Sequence, residues 1–513
     1  MKLRTALGSP VTRCLAVLAA AGLLAAGCSS GSSNDPKTGG TLVVGYTADP
    51  NTLDPWKVTQ FQALHMLEQV YGTLTQLDAD LNVVPGLAEK WELTDENKTL
   101  TLTLRQGVKF HDGKTFSSAD VKSSLDRIRD KATAAVAAAT IASVSTIEAP
   151  DPNTVVLRLK SPDAGLLAGL ATTNLAMLSK DDTQESVGQK PNGTGAFKFT
   201  SRTANQSISL AANPDYWGGK PKLDGVEFRI IPDEGSIVAA LQSGNVQFAV
   251  LNDPLVAKTA EGGGITLAKT PNLSYHVLQL NARNKPLDNK DVRLAIQCAI
   301  DRQQVLDTAA LGEGTVVGPI TSPAYKSDPG ARPCPTRDVN KAKSLLAGAG
   351  FGGGITIKTI VSSGEYATSV NEAQNLQAQL KEAGITLQLD TLESGAYVDR
   401  WVAGTFDAAV ALNGGRPDPD GMYGRYFTST GNLNKVAGYA SPELDQLFAE
   451  GKATADPAQR KQIYTKVSKH LEDNAVWVWL FSSFDYTATT AGVKGYTPMA
   501  NGSFQYLREA SLG

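Results

Sequence analysis

The sequence predicts an α/β protein of more than one lobe, and three observations predict it. The chain has 513 residues, beyond the roughly 250–300 at which single hydrophobic cores stop growing. Its hydrophobic share of 42% is enough to fill large cores. Strand-like and helix-like runs alternate through its second half, as α/β units do, with no repeat period of about 20–50 residues that would mark a solenoid or propeller.

The first residues have their own pattern. Lys2, Arg4 and Arg13 precede an apolar run from Cys14 to Ala26, which ends at Gly27-Cys28 and a Ser/Gly tract. A basic start, a short apolar stretch and small residues read as an export signal over residues 1–27. The run is too short to span a hydrocarbon core of about 30 Å, which takes about 20 helical residues, and no later segment is long and apolar enough. Residues Leu24-Ala25-Ala26-Gly27-Cys28 resemble the lipobox of bacterial lipoproteins, departing from it at Ala25, where Leu is commonest. That resemblance implies acylation of Cys28 and anchoring of the exported chain to the outer face of the cytoplasmic membrane, since two or more acyl chains hold a protein stably. A secreted chain with Cys28 merely near the cleavage site is the alternative. Residues 28–40 read as a flexible tether, its last twelve residues spanning roughly 20 Å root-mean-square.

The formal charge is −3. Removing the three basic residues of the N-terminus leaves about −6, which argues against nucleic acid, because such binding needs a basic footprint. Cys298 and Cys334 then remain as an even pair, and an exported location favours a disulfide between them. Two unrelated thiols, with Cys298 buried on a helix, are the alternative. No metal or cofactor is expected: neither cysteine belongs to a C-x-x-C pair, and His65, His111, His276 and His470 are scattered.

The body opens with a strand at 41–46, followed after Leu53-Asp54-Pro55-Trp56 by a helix whose apolar positions are Phe61, Leu64, Leu67 and Val70. Alternation predicts strands at 91–93, 100–104 and 154–159, the first two joined by a turn at 94–98. Ser117 with Asp120 three residues on is a capping box, opening a helix through Val121, Leu125 and Ile128. Strands follow at 197–199, 208–210 and 226–231, then a helix near 236–241. In the second half 292–305 is one amphipathic stretch, 339–349 a helix ended by Gly350, 355–360 a strand, 370–383 a helix and 385–389 a strand.

No phosphate loop, H-E-x-x-H helix, G-x-S-x-G elbow or Rossmann G-x-G-x-x-G after a strand is present, so no catalytic centre is expected. With 51 carboxylates, composition alone does not exclude a carboxylate-based hydrolase.

Several segments, in order, resemble the peptide/nickel-type extracellular solute-binding proteins that serve ATP-driven importers. They are Val84-Pro85-Gly86-Leu87-Ala88-Glu89-Lys90-Trp91, then Leu104-Arg105-Gln106-Gly107-Val108-Lys109-Phe110-His111-Asp112-Gly113, Gly193-Thr194-Gly195-Ala196-Phe197, Asn213-Pro214-Asp215-Tyr216-Trp217, Val292-Arg293 with Ala299-Ile300-Asp301-Arg302, and Pro417-Asp418-Pro419-Asp420 ahead of Asn434 and Gly438-Tyr439. On their own physics these pieces read as structure: a turn at Pro85-Gly86, core packing for Trp91, a solvated basic strand at Arg105 and Lys109, close backbone approach at the glycines, and an ion pair or cap at Asp301-Arg302.

The resemblance implies a two-lobed periplasmic-binding-protein-like α/β fold, with mixed sheets in each lobe and an extra subdomain inserted in lobe I. It places lobe I at 41–74, 187–272 and 486–513, the insert at 75–186 and lobe II at 273–485, with crossovers near Asn272 and Asp485 as the hinge. It further implies a monomer that binds a small solute such as a peptide and delivers it to membrane permease subunits of an ABC importer. A secreted hydrolase with an unrecognised carboxylate site, or a sensor or chaperone on the same scaffold, are the competing readings.

In peptide-binding relatives an aspartate in a Gly-Asp-x-x-Asp-Pro-like segment holds the peptide ammonium. Here Asn413-Gly414-Gly415-Arg416-Pro417-Asp418 puts Gly415 at that position, and the usual anchor is missing. Arg416 is a candidate for a carboxylate or phosphate, against a structural ion pair. Asp418 matches the family segment but also suits a turn before Pro419. Tyr46, Tyr275 and Tyr423 are candidate aromatic platforms, and Asn281 and Asn413 candidate amide contacts, each with a core reading beside it.

Overall fold

The protein is described here by a computed structural model covering residues 39–513 except Glu365 and Ala367. The export signal, Cys28 and nearly all of the tether therefore lie outside the described residues.

Strand Thr41–Tyr46 forms where the alternation predicts, with Leu42 and Val44 fully buried. It lies inside an eight-stranded mixed sheet, parallel to both Gly225–Ile230 and Phe248–Leu251. Phe197–Thr203 and Ser207–Ala212 extend that sheet on one side, Phe481–Thr490 and Ile265–Pro271 on the other. A second, five-stranded mixed sheet runs in the order Ile385–Leu392, Ile355–Ser362, Ala408–Asn413, Tyr275–Leu280, Trp477–Trp479. Ala88–Thr94, Thr99–Leu104, Thr154–Leu159 and Val144–Asp151 make a four-stranded antiparallel sheet.

Apolar side chains gather into two principal cores. One holds residues from Tyr275 to Phe481 and packs both faces of the five-stranded sheet. The other joins Leu42, Val44 and Phe228 of the large sheet with Leu100, Leu102 and Leu157 of the four-stranded one, so the segment holding that small sheet shares its interior with the large-sheet core. This is the mixed α/β, two-lobed arrangement that the sequence implies. No described helix is long and apolar enough to cross a membrane.

The chain passes between the two large sheets twice, side by side. Ile265–Pro271 leads through Asn272 into Tyr275–Leu280. On the return, Phe481–Thr490 pairs with Gly314–Val316 up to Ser483 and with Ile265–Pro271 from Phe484 onward. At that change of partner the Asn272 amide donates to both carboxylate oxygens of Asp485, at 2.9 and 2.8 Å.

Two local expectations are corrected. The amphipathic stretch 292–305 is two helices, Lys290–Cys298 and Arg302–Ala309. Asp301 has an extended backbone and its carboxylate accepts from the Gln304 N–H at 3.0 Å, so it caps the second helix. Arg302, rather than pairing with it, is buried and donates through Nε to the Trp479 carbonyl at 3.0 Å. Arg105 is not on a solvated face either: its guanidinium lies 4.5 Å from the Trp217 ring centroid and donates to the Gly86 carbonyl. The capping box at Ser117 and Asp120 is present, and Cys298 and Cys334 form a disulfide with their Cα atoms 5.0 Å apart.

Four of the family-like segments meet at one place. His111 Nε2 lies 3.1 Å from the Gly195 carbonyl, which also accepts from the Asn213 amide at 3.0 Å. Arg105 stacks on Trp217, and a Cβ on Gly193 would sit 2.0 Å from the Val70 carbonyl. Burial lowers the His111 pKa to about 4, so the imidazole is a neutral hydrogen-bonding wedge. These contacts tie the segments together, while Gly195, Ala196, Tyr216 and Trp217 also face a cavity.

Candidate functional site

Carboxyl ends of strands converge between the two large sheets, where open α/β sheets place their ligands. Gly45 to Thr47 close strand Thr41–Tyr46, Val250 and Asn252 close Phe248–Leu251, and Gly414 and Gly415 follow Ala408–Asn413 from the other sheet. Together they enclose a cavity of about 340 Å³. Asn272, Ser274 and Asp485, on the two crossing segments, also line it, and Asn501, Gly502 and Phe504 of the C-terminal segment complete it. A second cavity of about 220 Å³ adjoins the first, sharing His65 and Asn501, and reaches Glu68, Thr172, Pro417 and Arg508.

The aromatic wall is layered. Phe504 stacks on His65 with ring centroids 4.7 Å apart and meets Tyr46 edge-on at 6.1 Å. Burial lowers the His65 pKa to about 4, so this ring is neutral at pH 7. Burial also pushes Glu68 up to about 8, against hydrogen bonds from the Ser503 hydroxyl at 2.8 Å and the Phe504 N–H. Asp485 is raised by burial, and the Asn272 hydrogen bonds only partly offset this. Among the described residues it has no cationic partner.

Of the side chains singled out from sequence, Tyr46 and Gly415 line the larger cavity. Gly415 is committed to glycine: a Cβ there would sit 2.0 Å from the Leu273 carbonyl. The others touch neither cavity, and the reason in most cases is an internal partner. Tyr275 is fully buried, accepts from the Asn413 amide at 3.1 Å and packs against Tyr423, whose hydroxyl accepts from the Trp479 indole. The Asn281 amide donates to the carbonyls of Gly404 and Lys435. Asp418 forms an ion pair with Arg460. Arg416 is exposed, has no ion-pair partner among the described residues, and is flanked by the like charge of Arg425.

Among the lining residues that sequence reasoning passed over as contacts are His65, Asn252, Asn272, Ser274, Asp485 and the segment Asn501 to Phe504. Asn272 and Asp485 carried a usable signal: a residue at a crossover between lobes lies on the floor of the cleft by construction. Nothing in the C-terminal segment distinguishes it locally.

The description "Bacterial extracellular solute-binding proteins, family 5 Middle" matches residues 82–434. The chain belongs to that family. It is 27% identical to the glutathione-binding protein GsiB of Escherichia coli strain K12 over 493 residues, covering 91% of this chain and 93% of that one. HbpA2 from Haemophilus parasuis superposes with a TM-score of 0.84 at 26% identity, over 92% of this chain and all of that one. DppA from Helicobacter pylori, solved with the peptide STSA, gives 0.74 at 28% identity, over 93% and 98% of the two chains.

Members of this family bind solutes, which bears on one arrangement that resembles a catalytic triad. The Ser483 hydroxyl lies 2.9 Å from His276 Nε2, and His276 Nδ1 lies 2.8 Å from Glu372 Oε1. His276 and Glu372 are buried, His276 stacks on Phe481, and Ser483 lines neither cavity. The chain of bonds ties the returning strand Phe481–Thr490 to helix Ser369–Glu382, and a nucleophile placed there meets no substrate in either cavity.

Proposed function

We propose that the protein is the extracytoplasmic solute-binding component of an ABC importer, taking up peptides or peptide-sized solutes and handing them unaltered to permease subunits in the membrane. The observation that carries this reading is the cavity walled by strand ends from both large sheets and floored by the two crossing segments. A ligand there touches both halves, and a ligand that touches both favours the closed arrangement by its differential affinity for it. Two relatives point the same way, one a glutathione-binding protein and one solved with a bound tetrapeptide.

In this reading lobe I is 41–74, 187–272 and 486–513, the insert is 75–186, lobe II is 273–485, and the strands through Asn272 and Asp485 are the hinge. Acylated Cys28 holds the monomer at the outer face of the cytoplasmic membrane, with residues 28–40 as the tether.

Native mass spectrometry of protein purified from its host, followed by denaturation and identification of the released compound, tests the cargo. A peptide released intact supports the reading; a chemically changed compound after incubation sinks it in favour of a hydrolase. Small-angle scattering should show compaction on adding that compound, and at a concentration 100-fold above Kd it should stabilise the fold by about 2.7 kcal/mol. Arg416, one residue from the lining Gly415, is the contact proposed for an acidic end of the cargo. Arg416→Ala should weaken an acidic ligand by more than roughly 1.5 kcal/mol in calorimetry, and an unchanged affinity retires that contact.

A further inference from the structure

The larger cavity has an unbalanced chemistry. Its described lining holds amides (Asn252, Asn272, Asn501), hydroxyls (Tyr46, Thr47, Ser274) and an aromatic wall, but no lysine or arginine. Its one histidine, His65, is neutral at pH 7 because burial lowers its pKa to about 4. Asp485 is thus the sole carboxylate of that lining and faces no counter-charge there. An anion withdrawn from water without a partner is costly, and it is normally retained where something cationic arrives.

Asn272 fixes the carboxylate in place. Its amide nitrogen donates to both Asp485 oxygens, at 2.9 and 2.8 Å, while its own carbonyl oxygen accepts from the Ser274 N–H at 2.8 Å. The amide cannot turn over without losing both sets, so the carboxylate is held in one orientation by a partner that supplies no charge. Each oxygen keeps lone-pair capacity for a further donor. Gly415 lines the same cavity, and a Cβ there would sit 2.0 Å from the Leu273 carbonyl, so no acidic side chain fits at that position.

We infer that Asp485 is the residue that receives a cationic group of the cargo, a primary ammonium such as a peptide N-terminus, so that the negative charge absent at Gly415 is supplied instead from the crossing strand Phe481–Thr490. This rests on the reading of the protein as a binder of peptide-sized solutes and adds which end of the solute is held, and by what. Placement on the crossing strand has a mechanical consequence. An ammonium bound by Asp485 sits where the strand exchanges Gly314–Val316 for Ile265–Pro271 as its partner, so the charge that the ligand neutralises is at the point about which the halves would move.

The test uses the mature chain and two probe mixtures, random tripeptides with free N-termini and the same peptides N-acetylated, read by competition and then by calorimetry on a tripeptide that binds. Wild type should bind the free peptide at least about tenfold more tightly than its acetylated form, the scale of a charge-assisted contact. Asp485→Asn, which keeps shape and can still accept from Asn272, should bring the two forms within about twofold of each other. Asp485→Ser serves as a second variant, and thermal melts report whether each is folded. If wild type binds both forms equally, or Asp485→Asn keeps the preference, the assignment of Asp485 is overturned while the binding of peptides stands. If no tripeptide of either mixture binds to wild type, the peptide reading and the ammonium contact fall together.

Discussion

Arg460→Met should destabilise the protein by about 3–5 kcal/mol in denaturant unfolding, the cost of breaking a buried ion pair from one side. Arg460 is 4% exposed. Its guanidinium pairs with Asp418, donates to the Tyr325 hydroxyl at 3.0 Å and to the Tyr464 hydroxyl at 3.2 Å, and through Nε to the Gly451 carbonyl at 2.9 Å. Both tyrosine rings also lie under the cation, at 5.5 and 5.0 Å. Burial alone would lower the Arg460 pKa; the charge and hydrogen bonding of Asp418 outweigh it and leave it raised. Methionine fills much of the volume but leaves Asp418 beside the carboxylates of Asp163 and Asp420, with Lys452 paired to Asp420. The decisive measurement is a double-mutant cycle: adding Asp418→Asn should recover more than half of the loss, because the stranded charge is then gone. Equal losses in the single and double variants would show that packing against the tyrosines, not the charge, is what Arg460 supplies.

That ion pair also marks where sequence reading of the site stops. Asp418 was legible as part of a family-like segment, and a carboxylate in a loop between lobes is a fair candidate for a ligand. Its partner lies 42 positions away on helix Pro457–Asp473, and no local pattern announces it. The same holds for Asn413 and Tyr275, which satisfy each other across neighbouring strands. Strands and helices were readable because a single face is buried: Leu42 and Val44 alternate, and Val121, Leu125 and Ile128 follow helical spacing. The failure at 292–305 has the same root, since Ala299 and Ile300 are buried and continue the apolar stripe through the break that Asp301 caps. The cavity was the least legible feature, because its walls come from segments as distant as Gly45, Val250, Gly414 and Phe504. Asp485 could be placed as a crossover from the resemblance, but its role as a lone charge follows only from what does not surround it.

Asp420→Asn should stabilise the protein above about pH 6 and lose that advantage under acid. Burial, and then the carboxylates of Asp418 and Asp163, push the Asp420 carboxyl from 3.8 to about 6, against the pull of Lys452 at 3.4 Å. One of its oxygens is buried with no hydrogen-bond partner. A raised carboxyl pKa means that the folded state binds the proton more tightly than the unfolded chain, so wild-type stability falls as pH rises from about 4 to about 6 and stays lower beyond. The asparagine carries no charge in either state and escapes that loss, which the shift puts at about 2–3 kcal/mol at pH 7. Its amide can moreover donate to Asp418 or Asp163 where the carboxylate repels them. Unfolding both proteins in urea at pH 3, 5 and 7 should therefore give a difference near zero, then intermediate, then full. A gain that is the same at all three pH values would assign the effect to packing, and no gain at pH 7 would mean that Lys452 already balances the charge. Asp163 and Gly165 belong to the segment that carries the four-stranded sheet, the Ala164 N–H donates to the Lys452 carbonyl at 2.8 Å, and a Cβ on Gly165 would sit 3.2 Å from an Asp418 oxygen. Repulsion among the three carboxylates therefore acts where that segment packs against helix Pro442–Ala453, and Asp420→Asn relieves it there.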